Sequence, residues 1–182
     1  MTGVSLDIVI DEGDLGRQLQ QLADRAGDLR DALGEIGEIM TASTQARFGQ
    51  GVDPSGSPWA PLAASTLALK KGPGTLRESL HLQGSIRYQL DGDAVRIGTD
   101  VPYAAAHQFG RDAWTIVPRN KQALAFGPPA SRVGGKNARQ VGPAYVVKKV
   151  EHPGLPARPF LGLSTQDESD ILAMLAEYLA GG

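Results

Sequence analysis

The sequence predicts an α+β fold, in which a long N-terminal helix and short helices pack on a mostly antiparallel sheet that carries an extended basic hairpin arm. Three observations lead there. Leu15, Leu19, Leu22, Ala26, Leu29, Leu33, Ile36 and Met40 repeat at alternating steps of four and three, the period of one helix face. Several short β-like segments follow, separated by turn residues, and helices around such a mostly antiparallel set argue an α+β domain. A Gly-, Pro- and Arg/Lys-rich stretch, 127–142, lies between two strand-like segments as a hairpin arm would.

Taken in order, residues 4–10 (VSLDIVI) alternate imperfectly and are expected as a strand. Asp14 can cap a helix from about 14 to 47, on the order of 50 Å long at the usual rise. Its seam would also suit a coiled coil. Gly27, Gly34 and Gly37 weaken an isolated helix but allow close approach of another chain segment, and a helix lying across its own sheet fits them better. GQGVDPSGSPWAP (49–61) is too rich in turn residues to continue the helix, and Trp59 is expected to anchor that loop by burying its ring. A short helix is expected from Ser65 or Thr66 to Lys70, and a second over 76–83. Strands near 85–90 and 94–99 are joined by DGD. Strands are further expected at 114–118, with Pro118 at a bend or edge, at 121–126, and at 144–150 returning from a flexible basic loop. A last amphipathic helix covers 167–179.

The 182 residues, 41% hydrophobic, suffice for one core, and they read as a single domain with an arm. Cysteine is absent, so disulfides and thiolate metal sites are excluded. No run of about 18 apolar residues and no basic leader pattern occurs, which predicts a soluble protein without membrane contact. The net charge of −2 hides a segregation: residues 111–158 hold nine Lys/Arg against Asp112 and Glu151, +7, while the remainder stands at −9. Such polarity suits an anionic partner or subunits that meet head to tail.

The search for chemistry returns little. Gly135-Lys136 lacks the rest of a phosphate loop, and neither a zincin helix motif nor a nucleophile elbow occurs. His81, His107 and His152 stand on separate elements without the spacing that gathers ligands on one helix face. No enzyme, catalytic residue, metal or cofactor is predicted. The basic loop has no interleaved aromatics, so any DNA contact, through Arg132, Lys136, Arg139, Lys148 and Lys149, would be a sequence-blind one with the backbone.

Three stretches carry a resemblance: RFGQGVDPSGSPWAPLAAST (47–66), PYAAAHQFG (102–110) and LPARPFLGLS (155–164). Together, and in this order, they resemble the phage virion morphogenesis family, the tail-completion proteins of Mu-like phages and prophages. The resemblance spans about residues 13–180, and its most specific parts are Tyr103-Ala104 with His107-Gln108-Phe109-Gly110, and Pro156-Ala157-Arg158-Pro159-Phe160-Leu161-Gly162. One departure is Gln83-Gly84, where the family usually has Thr-Gly or Ser-Gly; loop 127–142 is also individual.

The resemblance implies a structural virion protein, assembled in the bacterial cytoplasm, that finishes the tail at its head-proximal end and lets it join a filled head. The implied partners are further copies of itself in a ring, expected as a hexamer, the tail tube protein, the head–tail connector and neck proteins, and the DNA backbone in the channel. A head-closure or adaptor protein, and a non-specific DNA-binding assembly factor, are the alternatives. On this reading Trp59, Tyr103, His107, Gln108, Phe109, Gly110, Arg158, Pro159 and Phe160 are structural. The His107 ring would tie a turn to a neighbouring strand, Phe160 and Leu161 would enter the core, and Arg158 would make a fixed salt bridge or backbone contact within its own domain or with the next subunit.

Overall fold

A computed structural model describes residues 3–8, 16–17, 29–92, 94–119, 122, 124–126 and 145–181. Apart from residues 16–17, which are helical, the first half of the expected long helix lies outside the described residues, as do its Asp14 cap and the basic loop 127–142. What is described is a mixture of helices and small antiparallel sheets, an α+β fold. It falls into two compact units, Met1–Gly110 with Pro156–Gly182, and Arg111–Leu155.

The larger unit is organised by helix α1, Arg30–Gln50. Leu33, Ile36 and Met40 continue the apolar period inward, and Thr44, Arg47 and Phe48 extend the same buried face. The helix stops at Gly51, whose left-handed backbone (φ 73°) turns its N–H back onto the Arg47 carbonyl at 2.7 Å. Strands β1 (Val4–Ile8), β2 (Arg87–Asp91) and β3 (Ala94–Thr99) form one antiparallel sheet in the order β1-β3-β2. Leu6 and Tyr88 both pair with Ile97 in register. Val95 and Ile97, on the central strand, are completely buried, and α1 crosses β2 and β3. The crossing requires Gly37: a Cβ there would stand 2.4 Å from the Tyr88 ring. Gly34 faces open space and has no such role. The last helix of the unit, Thr165–Gly181, packs on α1 through Ile171 and Leu175, both fully buried.

Several expected elements are revised. The short helix after the Trp59 loop is α2, Ala64–Leu69. Of the helix expected over 76–83, only α3, His81–Gly84, exists. Leu76 and Leu80 have φ of 58° and 60°, which an α-helix does not accommodate. The segment YAAAHQFG is no turn: Ala104–Gln108 forms a short helix, α4, as three consecutive alanines favour. The final helix, Thr165–Gly181, becomes α5.

In the smaller unit, β4 (Trp114–Ile116) pairs with β7 (Val150–His152), and β5 (Leu124–Phe126) with β6 (Tyr145–Val147), all antiparallel. The single strand expected over 144–150 is thus two, broken at Lys148-Lys149, and Pro118 lies beyond its strand because it cannot donate to a ladder. No helix among the described residues is long and apolar enough to cross a membrane.

Candidate functional site

The three motif stretches converge in the larger unit and are tied by side chains that satisfy one another's main chain. Gln108 presents its amide edge to the backbone of 160–161 as a strand would. Its Oε1 accepts the N–H groups of Phe160 (2.9 Å) and Leu161 (3.0 Å), and its Nε2 donates to the Leu161 carbonyl (2.9 Å). Arg158, 4% exposed, reaches the other way. Its guanidinium donates to the carbonyls of Ala60 (2.8 Å) and Pro61 (3.0 Å), and its own N–H donates to the His107 carbonyl (2.7 Å). The Trp59 indole N–H donates to the Pro159 carbonyl at 2.7 Å. Beneath these bonds Phe48 meets Trp59 edge-on at 5.5 Å and Phe160 at 5.2 Å, one aromatic cluster drawn from all but one of the tied segments.

Two charged residues absent from the predicted site complete the arrangement. Arg47 is 4% exposed and Asp167 2%. Arg47 Nη1 donates to the carbonyls of Phe160 (3.0 Å) and Gly162 (2.8 Å), while Nη2 donates to Ser43 Oγ (3.1 Å) and to the Asp167 carboxylate. Asp167 also accepts the Ser164 N–H at 2.8 Å, and Ser164 Oγ accepts the Asp167 N–H at 3.1 Å, a reciprocal cap at the start of α5. Burial draws the Arg47 guanidinium below its ordinary value and Asp167 pushes back; burial alone draws Arg158 down. The Asp53-Pro54 turn closes on itself, Asp53 Oδ1 accepting the N–H groups of Ser55 (2.8 Å) and Ser57 (3.0 Å).

His107 differs from its expected role. It is the backbone carbonyl that makes the tie to Arg158; the buried ring Nδ1 has no hydrogen-bond partner among the described residues. The ring meets Tyr103 edge-on at 5.9 Å. Burial first, and the Arg158 charge second, hold the imidazole below its usual 6.5. The linkage sign is fixed by that direction: as pH falls below 6.5 the unfolded chain takes up the proton before the folded one does. Stability is expected to fall with acidification from about 6.5 until the folded pKa is passed, and a His107→Gln variant should lose that slope in urea titrations.

Tyr103 and Phe109 leave the cluster, being 46% and 72% exposed, and Gly110 (φ 76°) ends the larger unit's first segment. Gln83, the departure from the family pattern, donates to the Gln45 carbonyl at 2.9 Å, fastening α3 to α1. Of the basic group, Arg132, Lys136 and Arg139 lie outside the described residues. Lys148 and Lys149 are exposed in the smaller unit, with Lys149 Nζ 3.4 Å from Glu151. That unit also holds a stack the sequence reading missed, Trp114 on His152 at 3.9 Å with the Arg111 guanidinium 4.1 Å over the indole.

The motif residues therefore hold main chain to main chain. No three His, Asp or Glu side chains among the described residues are placed to hold a metal ion. Gln108→Leu, which strands two N–H groups and a carbonyl, is expected to cost about 2 kcal/mol in chemical denaturation, and Gln108→Glu a similar amount, because the two acceptor bonds survive but an acceptor oxygen then faces the Leu161 carbonyl.

A family model described as the phage virion morphogenesis family matches residues 10–180. The chain is also similar to the Mu-like prophage FluMu G protein 2 of Haemophilus influenzae, 33% identical over 111 residues, which cover 60% of this chain and 56% of that protein. The match thus spans little more than half of the curated relative's length. No solved structure matches the chain.

Proposed function

The chain belongs to the phage virion morphogenesis family, and from that premise we propose that it is a structural, non-enzymatic virion protein that completes the tail at its head-proximal end and enables head–tail joining. It works as a ring around the DNA channel, expected as a hexamer, touching the tail tube below and the neck proteins above. The observation that carries this reading is the interlock itself. Within the larger unit the motif side chains are spent on tying its own segments together, with Gln108, Arg158 and Arg47 all directed at backbone carbonyls or amides. A subunit that must transmit fit between two larger assemblies needs that rigidity, and a heterologous ring needs two different faces, which the segregated charge supplies.

A second reading, a DNA-backbone contact by the smaller unit, is favoured by the charge of residues 111–155, eight Lys/Arg against Asp112 and Glu151, +6. Lys148 and Lys149, with Arg132, Lys136 and Arg139, would supply it. Affinity of the purified protein for duplex DNA that falls steeply with salt would support this contact, and a flat salt response would remove it.

Lysates of a phage carrying an early stop codon in this gene, viewed by negative-stain microscopy, test the main reading. Full heads beside separate tails, or tails of irregular length, are expected, with joined particles restored by complementation. Infectious virions of normal form would overturn it, and empty heads with normal tails would move the protein to head closure.

A further inference from the structure

An open groove of about 610 Å³ on the larger unit lies between α2, the segment from Lys70 to Leu82, and the Tyr103–His107 face of α4. Leu62, Leu76 and Leu82 line it, and Leu69, at its edge, is 79% exposed. Leu67, Leu80 and Tyr103 are further large apolar side chains exposed on the same segments. An apolar concavity with so many uncovered leucines costs free energy in water and marks a contact surface. Its wall is built and held: Glu78 accepts Lys70 Nζ (2.7 Å) and the N–H groups of Lys71 (3.0 Å) and Gly72 (3.1 Å), across a backbone that keeps Leu76 and Leu80 at positive φ. Strained backbone maintained by such a clasp belongs to a surface kept in shape for binding. Lys70 and Glu78 in the lining neutralise one another, and the same segment carries Arg77 and an exposed Lys71 beside the groove, which leaves it net basic.

The packed pair α1 and α5 has the opposite character. Its solvent side carries Asp31, Glu35, Glu38, Glu168, Asp170 and Glu177 against Arg30. Among these acids stands Tyr178, 37% exposed and hydrogen-bonded to Glu35, which with Asp31 raises its phenol above the ordinary value. One face is apolar with a basic margin, and the other is acidic around a partly exposed tyrosine.

We propose that the groove is the socket for a second copy of this chain, receiving the acidic α1–α5 face with Tyr178 as the inserted side chain. The contact is head to tail: groove meets helix pair, never groove meets groove. This rests on the ring reading and names which surfaces close the ring. Repeating such a contact leaves each subunit with one groove filled by a neighbour and one helix pair given to the other neighbour, as a cyclic assembly requires.

The absence of cysteine makes the test clean. Leu69→Cys and Tyr178→Cys, both at exposed positions, are introduced separately and together, the phage is grown on each variant, and isolated tails are oxidised. The double variant is expected to give a ladder of linked copies, while neither single variant links to itself. Lys71→Glu should lower ring occupancy on tails at least about tenfold, and adding Glu35→Lys should restore it, since like charges facing across a contact oppose binding and a reversed pair removes the opposition. Rings that form on tails without the ladder overturn the socket and leave the ring reading standing. Linkage of Leu69→Cys to a different tail protein, or of either single variant to itself, overturns the second copy as occupant or the head-to-tail geometry. Tails that bear no ring of this protein overturn the ring reading and the socket together.

Discussion

Asp167→Ala is expected to remove about 3–5 kcal/mol of unfolding free energy, because it strands a buried guanidinium. Arg47 and Asp167 are both almost wholly enclosed, and Arg47 has no water to turn to once its carboxylate is gone. The same substitution deletes one half of the α5 cap, adding a loss of about 1 kcal/mol, since Asp167 accepts the Ser164 N–H. Arg47→Met should cost a similar amount for a different reason. It leaves the Asp167 carboxylate buried without its cation, and it orphans the carbonyls of Phe160 and Gly162. The double variant Arg47→Met/Asp167→Leu is the informative one. If the pair were only a charge compensation, replacing both by apolar groups would recover most of the loss. The two abandoned carbonyls predict that recovery stays partial. Urea unfolding of the four proteins at neutral pH measures it. A cost under about 1 kcal/mol for Asp167→Ala would show that the pair behaves as a surface bridge and that the interlock around it is loose.

How much of this was legible in the sequence depends on which force governs each element. The period of Leu33, Ile36 and Met40 revealed α1 because burial of apolar faces sets helix placement, and the β2–β3 hairpin around Gly92 followed from alternation and turn chemistry. Arg47 stayed hidden although it lies on the same helix face, a step of four from Met40 to Thr44 and then three. A hydrophobicity pattern discards an arginine, and only the Asp167 carboxylate, 120 residues away, makes its burial tolerable. The failed helix at 76–83 has a like cause. Leu76 and Leu80 have helical spacing, but the Glu78 carboxylate draws in the amides of Lys71 and Gly72 and bends the chain into a conformation that spacing cannot report. The motif words named Gln108 and Arg158, yet not their acceptors, because a side chain that bonds to main-chain atoms leaves no trace in the identity of the residue it bonds. In the smaller unit, strands of three residues carry too few alternations to fix where one ends, and the break at Lys148-Lys149 was read as one strand.

Phe160→Ala and Phe109→Ala are expected to separate the two tasks that the motif residues perform. Phe160 is fully buried against Phe48, so truncation opens a cavity and should cost about 3–5 kcal/mol. Virions would then fail because the subunit does not persist, and lowering the growth temperature should rescue them in part. Phe109, in the same family signature, is 72% exposed, and its loss should change stability by no more than about 0.5 kcal/mol. An exposed aromatic ring adds little to its own fold, and Phe109, which like Tyr103 stands outside the interlock, is suited to the partner contact that the proposed role requires. Phe109→Ala is therefore expected to fold normally and still fail to complement a stop-codon allele at any temperature. Thermal unfolding of both variants beside their plaque counts decides it. Full complementation by Phe109→Ala would place the contact elsewhere on the larger unit, and a destabilisation like that of Phe160→Ala would mean that the ring is covered in the folded subunit.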